Sequence, residues 1–378
     1  MKQKVLLLSS VHPATDPRIL YKIAPSIAPD YEVFCALPDI ENHTSQAGIT
    51  MIRLPRHRSL LVRVILTHPV LLWKCIRLRP DLVHIFVPEL IPVAFLFQWL
   101  GAKVIYEVQE NLFKKFEIKT YNNQTIFQIL FKFFDHAARR HFYCIFTEDA
   151  YLKEYRSLKH PFVIVHNYVS LPFIDKYLKT KQTRQSDPVL FYSGVISMER
   201  CFDVLVAGLI ILKEKYPNFK MNLFGPVRFN ITEAQALPGY ATISRHLTFF
   251  GYTDFRLVIP FASGAVAGIA LLKPVADYQD SYTTKLFEYM ALKLPVITSD
   301  FPLYKDVVEK SDCGFCISPY NANLLAEKIT WLIENPLEAE DMGGNGRRAV
   351  EHMYNWKNEE KTLLSFYENT LNTKKLAA

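Results

Sequence analysis

The sequence predicts an α/β fold built from two doubly wound, Rossmann-like domains, and three observations carry that expectation. Short runs rich in β-branched and aromatic residues recur along the chain, as parallel strands buried on both faces require. Stretches of helical period separate them, which is the spacing of crossover connections. At 378 residues the chain suits two domains of roughly 100 to 200 residues each. Hydrophobic residues make up 50% and charged residues 21%, with no low-complexity tract, so two cores can form and a disordered chain is excluded.

Taken in order, the first set of strands is expected at Lys4–Ser10, Tyr31–Pro38, Ile49–Leu54, Leu82–Val87, Lys103–Gln109, Cys144–Glu148 and Phe162–His166. The second is expected at Val189–Gly194, Lys220–Gly225, Leu247–Tyr252, Gly268–Leu272, Pro295–Ser299 and Gly314–Ser318. Between them Val169–Pro188, polar and lysine-bearing, reads as a linker. In such sheets ligands bind beyond the carboxyl ends of the strands, so the residues just after each strand are where chemistry is expected.

Lys and Arg number 44 against 37 Asp and Glu, a formal charge of +7, so the placement of the excess matters more than its size. Six cysteines are too few for a disulfide scaffold in a chain this long, and a reducing compartment is the expectation. Cys313 and Cys316 have redox or zinc spacing without a second pair, and the eleven histidines form no H-E-x-x-H cluster, so no protein-bound metal is implied. The apolar run after Met1 is shorter than a signal segment, and no run of about 18 apolar residues occurs, so no spanning helix is expected.

The segment Asp280–Asp300, DSYTTKLFEYMALKLPVITSD, is the most informative. A helix capped by Asp280 or Ser281 would put Asp280, Thr284 and Glu288 on one stripe with Lys285 beside them, and Leu286, Phe287 and Met290 toward the core. A helix N-terminus favours an anion, a lysine neutralises phosphate, and a carboxylate one turn on can accept hydrogen bonds from ribose hydroxyls. From pattern alone the segment reads either as a nucleotide diphosphate site or as an ordinary amphipathic helix with a surface Lys/Glu pair.

KLFEYMALKLPVI at Lys285–Ile297 resembles the signature segment of the family 4 glycosyltransferases, a retaining group with the GT-B fold. The resemblance implies two Rossmann-like domains facing a cleft: an acceptor domain at 1–175, a nucleotide-sugar domain at 176–355, and a helix at 356–378 crossing back to the first. It implies that Glu288 and Asp280 stand at the family's E-x7-E acid pair, where Glu288 holds the ribose and Asp280 the donor sugar, with Thr284 beside them. FYSGVISMERCFDVL at Phe191–Leu205 is similar to the family's donor loop, which assigns Arg200 to the pyrophosphate and Gly194 to a close backbone approach; the family's next glycine is Cys201 here. HLTFFGYTDF at His246–Phe255 resembles the strand and turn beside the base, marking Gly251 and Tyr252. YNWKNEEKTLLSFY at Tyr354–Tyr367 is similar to the last, returning helix.

SSVHPATDPRIL at Ser9–Leu20 resembles the H-P-x-x-D-x-R-I loop of one branch, and implies His12, Asp16 and Arg18 at the acceptor side. Read alone, it is a His-Pro turn leading to a capped helix. YEVQEN at Tyr106–Asn111 aligns with Tyr-Asp-x-His-Glu, so Glu110 matches the family glutamate and Gln109 stands in place of the histidine. Gln cannot carry a proton but can bond a sugar hydroxyl.

From Arg53 to Arg79 there are seven Lys or Arg and no Asp or Glu, interleaved with Leu, Val, Ile and Trp73. Such a stretch binds an anionic leaflet as an interfacial helix, at about 1 kcal/mol per basic residue, or packs on a core with a solvated basic rim. Asn111–Tyr143 repeats the character, and no nucleic-acid module is recognisable. The expectation is therefore a metal-independent retaining glycosyltransferase at the cytoplasmic face of the membrane. It moves a sugar from a nucleotide diphosphate to a glycan, polyprenyl-linked acceptor in cell-surface polysaccharide synthesis, and needs no cofactor beyond the donor. The alternatives are a non-catalytic sugar-nucleotide-binding partner of another transferase and a sugar-nucleotide 2-epimerase on the same fold.

Overall fold

A computed structural model of the chain describes residues 2–40, 48–115, 124–178 and 187–373. The chain forms two compact units, Met1–Asn167 with Trp356–Ala378, and Tyr168–Asn355.

The first unit holds seven parallel strands: β1 Lys4–Leu8, β2 Glu32–Pro38, β3 Ile49–Leu54, β4 Leu82–Ile85, β5 Lys103–Val108, β6 Tyr143–Phe146 and β7 Phe162–Ile164. Their order is β3-β2-β1-β4-β5-β6-β7. Its central strands are mostly apolar because both faces are covered, with the buried His84 and Glu107 as exceptions. Along β1, Val5 and Leu7 enter one core with Ile19, Ile23 and Ile105, while Leu6 and Leu8 enter the other with Leu71, Ile91 and Phe97. The helix Trp356–Asn372 belongs to this unit, with Trp356, Leu363, Phe366 and Tyr367 buried in the first of these cores. Trp356 donates its indole N–H to Ser26 Oγ at 2.9 Å.

The second unit holds β8 Val189–Ser193, β9 Lys220–Phe224, β10 Leu247–Gly251, β11 Gly268–Ala270, β12 Val296–Ser299 and β13 Gly314–Ile317. They run parallel in the order β10-β9-β8-β11-β12-β13. Each sheet reverses its winding once, between β1 and β4 and between β8 and β11, and in each the loops at that reversal are the place for a ligand.

Three sequence expectations change. Val169–Pro188 is not all linker: Leu171–Tyr177 is a helix of the second unit, because Ile174 is fully buried there and Phe173 stacks on Phe255. The rest of that stretch, 179–186, lies outside the described residues, as do 116–123 of the weaker basic stretch. The helix expected from Asp280 begins at Thr284, with Thr283 as its N-cap. The hydroxyl of Tyr304 donates to the carbonyls of Tyr278 and Ser281 at 3.2 and 3.0 Å, and the Ser281 hydroxyl bonds back to Asp277 O. Those bonds hold 277–281 in a turn, so Asp280 precedes the stripe of Thr284 and Glu288 instead of heading it. In the basic stretch, β3 ends at Leu54 and the chain is helical from Leu60 to Leu78 in short pieces. Leu71 and Cys75 are core, while Leu61, Ile65, Leu66 and Trp73 are exposed. No helix among the described residues is long and apolar enough to cross a membrane.

Candidate functional site

In the second unit the three strands on the β8 side of the winding reversal end on glycines. Gly194 follows β8 at φ +127°, Gly225 follows β9 at φ +135°, and Gly251 closes β10 at φ +69°. The chains there touch: a Cβ on Gly225 would lie 2.0 Å from Gly194 O, and Gly225 N–H donates to Gly251 O at 2.7 Å. Glycine is required at the first two positions by this approach and by the left-handed backbone. The result is an edge of bare backbone beyond the sheet.

Lys285 lies across that edge. A Cβ on Gly194 would meet its Cε at 2.4 Å. Its side chain is 3% exposed, and Nζ donates to Tyr192 Oη at 2.7 Å above the Tyr192 ring. The helix Thr284–Ala291 places it by burying Leu286, Phe287, Tyr289 and Met290 on the sheet, and Tyr289 Oη accepts from Ser193 N–H at 3.0 Å. Burial, and after it the Arg200 guanidinium, pulls Lys285 well below its ordinary value, with Glu288 opposing. Arg200 ends the turn Met198–Arg200 with its guanidinium 5.7 Å from the Tyr278 ring. Two cations thus share one place, with Thr284, Glu288 and Asp280 half-buried nearby in the chain and Tyr252 exposed after β10. Cys201 has φ +59° in the left-handed region, which gives the physical reason a glycine suits that position. Tyr192, Tyr289 and Gly225 escaped the sequence reading. An aromatic at a strand end and a glycine at the end of the neighbouring strand are the signals that mark them.

Gly194→Ala is expected to push Lys285 off the edge and strain the backbone. It should cost about 1–3 kcal/mol of stability and weaken nucleotide binding at least tenfold, which melting curves and calorimetric titration would measure.

In the first unit the loops after β1, β4 and β5 hold the other candidates. The Ser9 hydroxyl accepts the N–H groups of Val11 and His12 at 3.2 and 3.0 Å and meets His12 Nδ1 at 2.8 Å. With both N–H groups given to its oxygen, the hydroxyl proton goes to Nδ1, so a neutral His12 carries its own proton on Nε2. Ser10 donates to Glu89 Oε1, and Arg63 clamps the same carboxylate with two bonds of 2.7 Å. Burial would raise Glu89, but the nearby His68 ring, 4.0 Å away, and the bonds from Arg63 and Ser10 outweigh it and hold the carboxyl at about 2. This cluster was missed. Arg63, grouped by sequence with a membrane-facing rim, turns inward because Glu89 is half-buried at the winding reversal.

Asp16 and Arg18, expected on the acceptor side, are held by partners within the first unit. Asp16 caps the following helix by accepting the N–H groups of Arg18 and Ile19, both at 3.0 Å. Arg18 is 3% exposed and spends its donors on Glu107 at 2.7 and 3.1 Å and on the carbonyls of Val165 and His166. Burial would raise the Glu107 carboxyl, but Arg18 and His84 outweigh it and hold it well below the carboxylate range. Gln109 donates Nε2 to Glu107 Oε1 at 2.6 Å, while Glu110 is exposed at the end of the loop. Among the described residues no His/Cys/Asp/Glu group could hold a metal ion.

Residues 173–349 match the family described as "Glycosyl transferases group 1". The chain is 24% identical over 168 residues to "Putative glycosyltransferase EpsD" of Bacillus subtilis (strain 168), a match covering 44% of this chain and 42% of that protein. It is 30% identical over 94 residues to "Capsular polysaccharide biosynthesis glycosyltransferase CapM" of Staphylococcus aureus, covering 25% of each. The chain spans less than half the length of the curated relatives it matches. The fold matches Anabaena Alr3699/HepE, solved in complex with UDP and glucose, at a TM-score of 0.70 and 12% identity, covering 97% of this chain and 100% of that one. Residues 173–349 are thus similar to the glycosyl transferases group 1 family, on a chain whose two parallel-sheet units have the GT-B fold.

Proposed function

We propose that the chain transfers a hexose-type sugar from a nucleotide diphosphate to a glycan acceptor, lipid-linked, in cell-surface polysaccharide synthesis. The single observation that carries this reading is Lys285: a buried lysine whose charge is opposed by burial and by Arg200, set over the bare backbone of Gly194. A diphosphate placed there relieves both costs at once. Lys285 and Arg200 then stabilise the charge that develops on the departing diphosphate, which is usually the largest catalytic effect. Because two side-chain cations meet that charge, the transfer is metal-independent in this reading. Glu288 holds the ribose, Asp280 the donor sugar, Thr284 the phosphate side, and Gly251 with Tyr252 the base.

On the acceptor side stand Glu110, Gln109 and His12. Asp16 and Arg18 serve there only by holding the loops. Retention of configuration needs no protein nucleophile: a leaving phosphate oxygen takes the acceptor hydroxyl's proton as the new bond forms on the same face. That is compatible with Gln109, which donates to Glu107 and cannot carry a proton. The exposed Arg58, Lys74, Arg77 and Arg79 beside Leu61, Ile65 and Trp73 support a peripheral site on an anionic inner leaflet.

The test is calorimetric titration with UDP, GDP, ADP and TDP, with Glu288→Ala as control. One nucleotide is expected to bind and to lose at least tenfold in affinity in the variant. No binding by any of them overturns the reading. Binding without turnover of the matching nucleotide sugars would favour a non-catalytic donor-binding partner, the second reading that Gln109 supports.

A further inference from the structure

Three helices of the first unit, His68–Cys75, Ile91–Trp99 and Gln124–His141, cover the same face of its sheet. Leu71 and Cys75 from the first, Ile91, Ala94 and Phe97 from the second, and Ala138 from the third share one core. Their outward sides are not the polar surface such a layer normally presents. Trp73 is 68% exposed, Trp99 77% and Phe133 67%, with Leu66, Leu96, Leu100, Ile126 and Ile129 exposed as well.

Between the second and third helices runs an open groove of about 550 Å³, walled by Pro92, Leu96, Trp99, Phe133, Ala137 and His141. Its walls are almost wholly carbon. Residues 53–79, 91–103 and 124–141, which make this layer, carry seven, one and three Lys or Arg and a single carboxylate. That carboxylate, Asp135, is buried and taken by Arg139 and Tyr155. The face is therefore apolar with a basic fringe that includes the exposed Lys132 and Arg140, and it carries two exposed tryptophans of the kind that settle at a membrane interface.

The groove also has a direction. The turn Pro88–Leu90 runs straight into the helix Ile91–Trp99, so Pro92, which lines one end of the groove, lies three residues along the chain from Glu89. From Pro92 to Trp99 the helix rises about 10 Å.

We infer that this groove holds the first part of the polyprenyl chain of a phosphate-linked acceptor. The inference rests on the lipid-linked acceptor proposed above and goes beyond it by assigning the chain a seat separate from residues 53–79. Apolar walls take the hydrocarbon, the basic fringe takes the phosphates of the surrounding leaflet, and Trp99 marks the far end.

The test uses farnesyl phosphate as a single-chain probe and follows tryptophan emission of the full chain. A saturable blue shift is expected that disappears in Trp99→Phe. Ala137→Phe, which fills the groove, and Leu96→Arg, which charges its wall, should each weaken uptake at least tenfold. The same proteins are sedimented with vesicles of phosphatidylglycerol and phosphatidylcholine in equal parts, alongside Arg58→Gln/Arg77→Gln/Arg79→Gln. Loss of sedimentation in that triple variant with uptake of farnesyl phosphate retained supports the groove as a seat of its own. Sedimentation by a chain that takes up no farnesyl phosphate overturns the groove and leaves the membrane reading standing. Uptake without any sedimentation keeps the groove and sinks the membrane reading. A shift undiminished in both groove variants overturns the inference, as does a dimer in solution that Leu96→Arg dissociates, since the face then belongs to a second copy.

Discussion

Lys285→Met is expected to lose sugar transfer by about 10²–10³-fold, on the scale of a removed oxyanion donor, while the protein becomes more stable. The two effects have one cause. A lysine buried over Gly194 and beside Arg200 is held as a charge only at a cost, which the diphosphate repays when it binds and the empty protein does not. Methionine keeps the straight side chain over Gly194 and removes the charge. The Tyr192 hydroxyl, which accepts from Lys285, still donates to Val195 O at 2.6 Å. The gain in stability is expected at neutral pH, where the unfolded chain carries the proton that burial makes costly in the folded one.

Its pH dependence has a definite sign. The folded-state value of Lys285 lies well below the ordinary lysine value, so the cost vanishes above that ordinary value, where the side chain is neutral folded or unfolded. As pH falls below it the unfolded chain takes up a proton and the folded one resists, until the folded value is passed. The stability gap between Lys285→Met and the parent should therefore narrow as pH is raised toward the ordinary lysine value. Nucleotide diphosphate should close the gap from the other side by raising the melting temperature of the parent alone. Scanning calorimetry across pH with and without nucleotide measures both. A variant less stable than the parent at every pH would mean that Lys285 is a structural group, and the phosphate role would fall with it.

The central strands were legible because they carry apolar runs buried on two faces, as in Val5–Leu8, and a parallel sheet leaves that mark in a sequence. Lys285, Gly194 and Arg200 were legible because a local motif carries them. What escaped depends on partners far away in the chain. Glu107 sits inside the strand run KVIYEV, where a carboxylate at a buried position requires a cation, but nothing local says that the cation is Arg18, 89 residues earlier. Arg63 escaped in the same way: a run of arginines looks uniform until the fold sets Glu89 opposite one of them. Asp280 was misplaced by assuming that helical geometry begins at the first capping residue, when tertiary bonds from Tyr304 hold that segment as a turn.

Arg18→Met should destabilise the first unit by about 3–5 kcal/mol, the cost of leaving a buried carboxylate without its cation. Glu107 is fully buried, bonded twice by Arg18 and 3.4 Å from His84 Nε2, whose other ring nitrogen meets Tyr367 Oη at 2.5 Å. The cluster joins β1's following loop, β4, β5 and the returning helix, so its loss is felt across the unit. The carboxyl of Glu107 is depressed in the parent; its contribution is present above the ordinary carboxylate value and is lost as pH falls through the depressed one. Without Arg18 burial governs and the carboxyl protonates at higher pH, so the deficit of the variant should shrink as pH falls through that raised value toward the depressed value of the parent. Glu107→Leu added to Arg18→Met should recover most of the loss, since it removes the charge that was orphaned. The same variant separates two roles for Arg18. If it holds the frame, as its bonds to Glu107, Val165 and His166 require, nucleotide binding by the second unit persists in Arg18→Met under conditions where the protein stays folded. A contact to the donor phosphate would instead cost at least tenfold in that affinity with little change in melting.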